Sequence, residues 1–163
     1  MRCLVFIDLY DREVYNVNKS KIDMTRKGVV AIIFKKEKGK VKFLLLKRKK
    51  NWKGWELMKG GCKNGESELM CLRREVKEET GISKFITKIT NSYDLFGYPQ
   101  EMIKDGVRYK KSKHRLFLIE VFSDKVEFDK EEHSGFKWVD FEKASKMLTW
   151  KDQKALLKKF FRE

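Results

Sequence analysis

Residues 60–82 hold the rest of the chain to a narrow set of folds. They read Gly-Gly-Cys-Lys-Asn-Gly-Glu-Ser-Glu-Leu-Met-Cys-Leu-Arg-Arg-Glu-Val-Lys-Glu-Glu-Thr-Gly-Ile. A glycine loop leads into a carboxylate-rich helix, and a glycine stops it. Ser67 is the expected N-cap and Gly81 the left-handed stop after Thr80. Glu75, Glu78 and Glu79 sit at i, i+3 and i+4, so helical spacing puts three acids on one face. Leu72 and Val76, with Leu69 nearby, form another face that is expected to be buried. Like charges at this spacing repel, so something positive is expected among them. A divalent cation suits such oxygen donors, and Mg²⁺ commonly takes one or two carboxylates plus phosphate oxygens. The ordinary reading of a charge run is a solvated helix face. Two features weigh against it. The sign reverses locally in a chain of net charge +15, and glycines bound the acids on both sides.

The segment resembles the Nudix box. Gly60, Glu66, Arg74, Glu75, Val76, Glu78, Glu79, Gly81 and Ile82 occupy its fixed positions. The resemblance implies a hydrolase that cuts a diphosphate linkage in a nucleoside diphosphate derivative, with Mg²⁺ or Mn²⁺ as cofactor. It also implies an α/β fold: an α/β/α sandwich around a central mixed sheet, here with an added N-terminal strand or hairpin. By that resemblance Glu75 and Glu79 are the main metal ligands, Glu78 joins them, and the Gly60 carbonyl completes the shell. Arg74 and Glu66 pair to fix the loop on the helix, and in some relatives Glu66 also approaches the metals. Relatives often take a further glutamate from a downstream loop. Glu132, ahead of His133, matches best, with Glu131 as the fallback. The general base is Glu78 or Glu132, so the expected catalytic set is Arg74, Glu78, Glu79 and Glu132.

Length and composition set the outer bounds. A chain of 163 residues with 41% hydrophobic content is long enough for one globular domain. The expectation is a single domain over 1–163, with an N-terminal extension at 1–27. A surplus of 39 basic over 24 acidic residues favours polyanionic partners such as nucleotides, polyphosphates or RNA, without choosing among them. Cys3, Cys62 and Cys71 are an odd number with no C-x-x-C pair, which points to reduced thiols and a cytoplasmic setting. Cys71, one turn before Glu75, reads as a small buried filler. No apolar run approaches the length of a membrane span.

Along the chain, residues 2–7 and 14–17 read as short strands ahead of the family-like part. Residues 28–34, Gly-Val-Val-Ala-Ile-Ile-Phe, form a continuous apolar run that suits a strand covered on both faces. A turn at 35–40 and a second strand at 41–46 complete a hairpin. The basic stretch 47–53 reads mostly as a solvated loop, but Arg48 is a phosphate-binding candidate because a guanidinium grips phosphate through two hydrogen bonds. Lys59, beside the glycines, is a second, as a compact point charge. Residues 85–89 begin a strand, 99–112 read as a long basic connection, and 115–122 form the next strand. A short strand at 136–139 precedes a helix at 141–148. Thr149 opens the last helix in the manner of a capping box with Asp152. Gln153, Leu156, Leu157, Phe160 and Phe161 line its core-facing side. His133 is a proton-carrier candidate, or an ordinary hydrogen-bonding loop residue.

Several stretches outside the box are similar to the asymmetric diadenosine tetraphosphate hydrolases: residues 43–46, 55–61, the Glu132-His133 then Trp138-Val139 pattern, and 151–161. Three readings follow. The first is a dinucleoside polyphosphate hydrolase. The second is another pyrophosphohydrolase, acting on the RNA 5′ end, ADP-ribose or nucleoside triphosphates. The third, from a different class, is a nucleotide- or RNA-binding module without turnover. Tyr93, Phe96, Tyr98 and Tyr109 are candidates for stacking on a base.

Overall fold

The computed structural model describes residues 24–104 and 106–161, with side chains for all of these except 24 and 95–101. The two N-terminal strands expected at 2–7 and 14–17, and the extension up to residue 23, lie outside the described residues. Among the described residues there are seven strands: β1 (Met24–Glu37), β2 (Lys40–Arg48), β3 (Gly54–Glu56), β4 (Met58–Gly61), β5 (Ile86–Lys104), β6 (Val107–Glu120) and β7 (His133–Val139). Three helices accompany them: α1 (Glu68–Thr80), α2 (Phe141–Met147) and α3 (Lys151–Phe161). None of these helices is long and apolar enough to cross a membrane.

One sheet holds all seven strands. Its main path runs β3-β2-β1-β6-β5. The first half of β1 also pairs with β4, from Gly28 opposite Gly61 to Ala31 opposite Met58. Strand β7 pairs antiparallel with β2, from Phe43 opposite Val139 to Arg48 opposite His133. The described residues fall into two compact units, 27–95 with 113–161, and a second containing 24–26 and 96–112. The candidate active site lies wholly in the first.

Alternation along the strands splits the core between the two faces of the sheet. Val29, Ala31, Ile33, Leu44, Leu46, Phe117 and Ile119 face one way and pack on Cys71, Leu72 and Val76 of α1. Val30, Ile32, Phe43, Leu45 and Leu116 face the other and pack on Ala144 of α2 and on Leu156 and Leu157 of α3. This is the expected α/β/α sandwich, and it explains why β1 has no polar residue between Val29 and Phe34. Each fully buried Leu, Ile or Phe contributes about 1.5–3 kcal/mol, so the sheet is anchored from both sides. Phe161 closes the second layer edge-on to Phe34 and Phe43, with ring centroids 5.0 and 4.8 Å away.

Four expectations are corrected. The first hairpin turn is shorter than 35–40: the strands run to Glu37 and from Lys40, with Lys38 and Gly39 at positive φ. The basic connection at 99–112 is strand up to Lys104 and again from Val107, with a turn at Gly106. Leu69 is 41% exposed, so the buried stripe of α1 is Cys71, Leu72 and Val76. Cys62 and Cys71 are joined as a disulfide, not held as separate thiols, because the loop after β4 folds back over the first turn of α1 and brings their Cα atoms to 5.1 Å.

Candidate active site

Helix α1 carries the acids, and its ends are held as the sequence requires. Ser67 Oγ accepts from Met70 N, and Gly81 takes φ 70° while its N–H reaches Lys77 O. A side chain at Gly81 would press on Glu127, 2.9 Å from its Cβ. The loop that follows β6 docks on this end of the helix through its backbone. Glu127 N donates to Thr80 O, Asp129 N to Glu79 O, and His133 N to Asp129 O. Lys49 N and Lys50 N both donate to Glu132 O, tying the basic loop after β2 to the same segment. Glu132 and His133 are thereby brought beside Glu79 across a sequence gap of more than fifty positions.

Arg74 organises the box. Its Nε and Nη2 grip Glu66 at 2.7 and 2.8 Å, Nη2 also reaches Gly61 O at 3.1 Å, and Nη1 bridges Glu75 at 2.6 Å and Glu78 at 3.0 Å. The expected Arg74–Glu66 staple is therefore present. The hydrogen bond from Arg74 holds the Glu66 carboxyl down at about 2, and the same partners push the Arg74 guanidinium further up. Part of the positive charge expected among the acids is thus Arg74 itself.

The three helix acids separate by environment. Glu75 and Glu79 are buried, each 8% exposed, whereas the Glu78 side chain is 55% exposed. Gly60 is a glycine because the Glu75 carboxyl lies against it: a Cβ there would fall 2.0 Å from Glu75 Cδ. Burial pushes the Glu79 carboxyl up to about 8, reinforced by the charges of Glu132 and Glu75 and opposed by Arg48. Among the described residues, Glu75, Glu78 and Glu79 do not close to within 4.8 Å of one another. Cys62, Glu66 and Cys71 do, but those sulfurs are bonded to each other, and Glu66 is engaged by Arg74 and by Lys63 N.

Arg48 and Lys59 reach the site, and both are paired. Arg48 follows Leu44 and Leu46 at every second position of β2, so alternation points it to the α1 side, and a register shift after Lys47 opposite Gly135 sets His133 across from it. Its Nη1 lies 2.6 Å from Glu132 and 3.5 Å from Glu56. Lys59 Nζ lies 3.4 Å from Glu56. Glu132, not Glu131, faces the cluster: Glu131 is exposed, with its N–H bonded to Asp129. Tyr93 is engaged by Arg115 at its hydroxyl and by Lys113 over its ring, so that face is covered. Tyr109 lies on β6 in the second unit. The side chains of Phe96 and Tyr98 lie outside the described ones.

Two residues are missed or left open by the sequence. Glu56, on β3, is 1% exposed and faces Arg48, Lys59 and His133. His133, 2% exposed, places Nε2 3.3 Å from Glu56 Oε1 and Nδ1 3.1 Å from Glu79 Oε2. Glu56 Oε2 and His133 Nδ1 have no aligned hydrogen bond, so Lys59 stands as an ion-pair partner of Glu56 and His133 approaches Glu79 closely without an aligned bond. A three-residue strand gives no periodic signal, which is why Glu56 is not legible. The backbone on either side of it is pinned from far away. Thr149 Oγ1 accepts from Trp55 N at 3.0 Å, and Gln153 Oε1 accepts from Leu57 N at 2.9 Å. Thr149 thus directs its hydroxyl to β3, away from the capping role expected of it.

The donor set fits a hard divalent cation. It offers carboxylate oxygens, two of them on buried side chains, beside a glycine that lets backbone approach them closely. The upward displacement of Glu79 comes first from burial, with the charges of Glu132 and Glu75 adding to it, and a cation bound here would offset both.

Comparisons with known proteins identify the family. Residues 24–160 match the NUDIX domain. The chain is 30% identical over 138 residues to the asymmetrical bis(5′-nucleosyl)-tetraphosphatase of Caenorhabditis elegans, covering 84% of this chain and 95% of that protein. It is 30% identical over 101 residues to an RNA pyrophosphohydrolase of Hahella chejuensis, covering 53% and 60%. The crystal structure of a C. elegans Ap4A hydrolase binary complex superposes with a TM-score of 0.62 at 28% identity, over 83% of this chain and 95% of that one. The chain belongs to the Nudix family of hydrolases.

Proposed function

We propose that this protein is a divalent-metal-dependent hydrolase of dinucleoside polyphosphates, with diadenosine tetraphosphate as the representative substrate. The observation that carries the proposal is the meeting of buried Glu75 and Glu79 with Glu132 and Arg48, in a chain whose similarity to an asymmetrical tetraphosphatase extends over 84% of its length. Glu75, Glu79 and the Gly60 carbonyl would hold the cation, with Glu78 joining from the exposed side. A bound Mg²⁺ or Mn²⁺ supplies charge neutralisation at the phosphate oxygens and makes water more acidic.

The remaining roles belong to side chains of this chain. Arg48 and Lys59 offer cations to the polyphosphate, Arg48 by exchanging its contact with Glu132 for one with phosphate. That exchange would free the Glu132 carboxylate to take a proton from the attacking water, and Glu78 is the other candidate base. Arg74 and Glu66 keep the loop registered on the helix. The net charge of +15 suits a polyanionic substrate in general, and with the RNA pyrophosphohydrolase relative it supports a second reading, action on the 5′ end of RNA.

A substrate panel tests the proposal: diadenosine tetraphosphate, ADP-ribose, nucleoside triphosphates and 5′-triphosphate RNA, each with Mg²⁺ or Mn²⁺. The expected result is highest kcat/KM on the dinucleotide, abolished by chelator and by Glu79→Gln while the fold survives. Preference for RNA would replace the first reading with the second. Turnover in chelator would remove both.

A further inference from the structure

We propose that Glu56 and His133 form a brace that aims both halves of the active site, the metal-binding acid on one side and the phosphate-binding cations on the other. Neither residue touches substrate in this scheme; both are positioning residues. The inference rests on the metal-dependent reading above and adds to it a device outside the Nudix box.

Glu56 is a carboxylate with almost no solvent contact. Burying such a group is costly unless it is paired. Here three cationic or hydrogen-bonding side chains converge on it: Arg48 at 3.5 Å, Lys59 at 3.4 Å and His133 at 3.3 Å. The first two are the phosphate-binding candidates. The third turns its other ring nitrogen to Glu79, 3.1 Å away. One buried acid on β3 therefore connects to β2, β4, β7 and, through the imidazole, to α1. Its own position is fixed by the bonds to Thr149 and Gln153 on the residues either side of it. His133 is fixed by its backbone bond to Asp129 and by its pairing with Arg48 in the sheet. A carboxylate that ligates a cation is commonly held by a partner at its other oxygen, and losing such a partner costs about 10–100-fold in metal affinity. His133 Nδ1 stands within reach of that second oxygen of Glu79, in close approach and not yet as an aligned bond, and Glu56 is what holds His133 there.

The brace predicts a split that a merely structural role would not produce. His133→Gln is expected to weaken Mn²⁺ binding, measured on the nucleotide-free protein by electron paramagnetic resonance, by about tenfold or more. At saturating Mn²⁺ it should leave KM for diadenosine tetraphosphate unchanged. Glu56→Gln, which keeps shape and removes charge, should weaken Mn²⁺ to a similar degree and also raise KM, because Arg48 and Lys59 lose their anchor. The double variant should bind Mn²⁺ no worse than Glu56→Gln alone. The brace is overturned if Glu56→Gln binds Mn²⁺ like the wild type, or if the losses in the double variant multiply. It is also overturned if His133→Gln raises KM as much as Glu56→Gln does. Near-ultraviolet circular dichroism and thermal unfolding of each variant report folding, and a variant that fails to fold leaves the decision to the other. Wild-type protein that binds Mn²⁺ but cleaves nothing in the panel would sink the substrate proposal alone. Wild-type protein that binds no Mn²⁺ would sink the brace together with the metal-dependent reading.

Discussion

Gly60→Ala separates the metal-binding geometry from the fold with the smallest possible change. A methyl at this position would lie 2.0 Å from Glu75 Cδ, 2.1 Å from Oε2 and 2.4 Å from Cγ. Ordinary contact begins near 3.4 Å, so the Glu75 carboxyl must retreat by about 1.4 Å. Gly60 does not need a left-handed backbone, so the effect is steric. The displaced acid forfeits its 2.6 Å contact with Arg74 Nη1. Overpacking of this kind costs about 1–3 kcal/mol, which a two-layer core of this size survives. The effect on the ion should be larger, since a moved ligand loses more than the roughly 10–100-fold typical of a lost supporting partner. Mn²⁺ titration and urea denaturation of Gly60→Ala, Glu75→Ala and the double variant provide the assay. The double variant should regain most of the stability lost in Gly60→Ala, because alanine at 75 leaves room for the methyl, while Mn²⁺ binding stays lost. Wild-type Mn²⁺ affinity in Gly60→Ala, or strictly additive stability losses in the double variant, would refute the reasoning.

Three further outcomes are expected. The Glu79 carboxyl is raised to about 8 by burial, so the folded chelator-treated protein holds this proton more tightly than the unfolded chain. The stabilisation is complete below the ordinary carboxylate range and lost as pH rises through about 8. Urea midpoints in chelator should therefore fall as pH rises from about 5.5 to about 8.5 and recover with Mg²⁺, whereas a flat profile would contradict the burial argument. Opening the Cys62–Cys71 cross-link, which spans 9 positions, should lower stability by up to about 3 kcal/mol on loop entropy. An unreduced peptide digest must show the cross-linked fragment for this to hold. Gln153→Leu leaves the Leu57 N–H without its buried acceptor and should cost about 1–3 kcal/mol, against no change if that bond contributes nothing.

The parts of the structure legible in the sequence are those whose signals are local. Ser67 and Gly81 mark α1 because capping acts within a turn, and the apolar run at 28–34 marks β1 because both sides of it are covered. The packing of α3 is legible for the same reason, whereas the Arg74–Glu66 pairing is legible only through the resemblance to the Nudix box. What escapes depends on distant partners. Glu56 reads as one more charge among many until β2, β4 and β7 surround it. The pairing of Cys62 with Cys71 needs the loop to fold back on the helix, which their spacing does not announce. The long arms of β5 and β6 are hidden by Pro99, Gly106 and the lysines between them, which carry turn and loop signals in a segment that nevertheless forms strand. Thr149 resembles a cap because sequence cannot show that Trp55 claims its hydroxyl.

The bonds from Thr149 and Gln153 to Trp55 and Leu57 bridge 94 and 96 positions. During synthesis, then, β3 and the approach to the glycine loop emerge from the ribosome well before the residues that complete their backbone. Helix α1 can form early, since its caps are its own, but the cleft beside it has to wait for residues 149–153. A nascent chain stalled before that point would carry every acid of the box and still lack an assembled pocket, so binding competence should arrive late and abruptly as the chain lengthens.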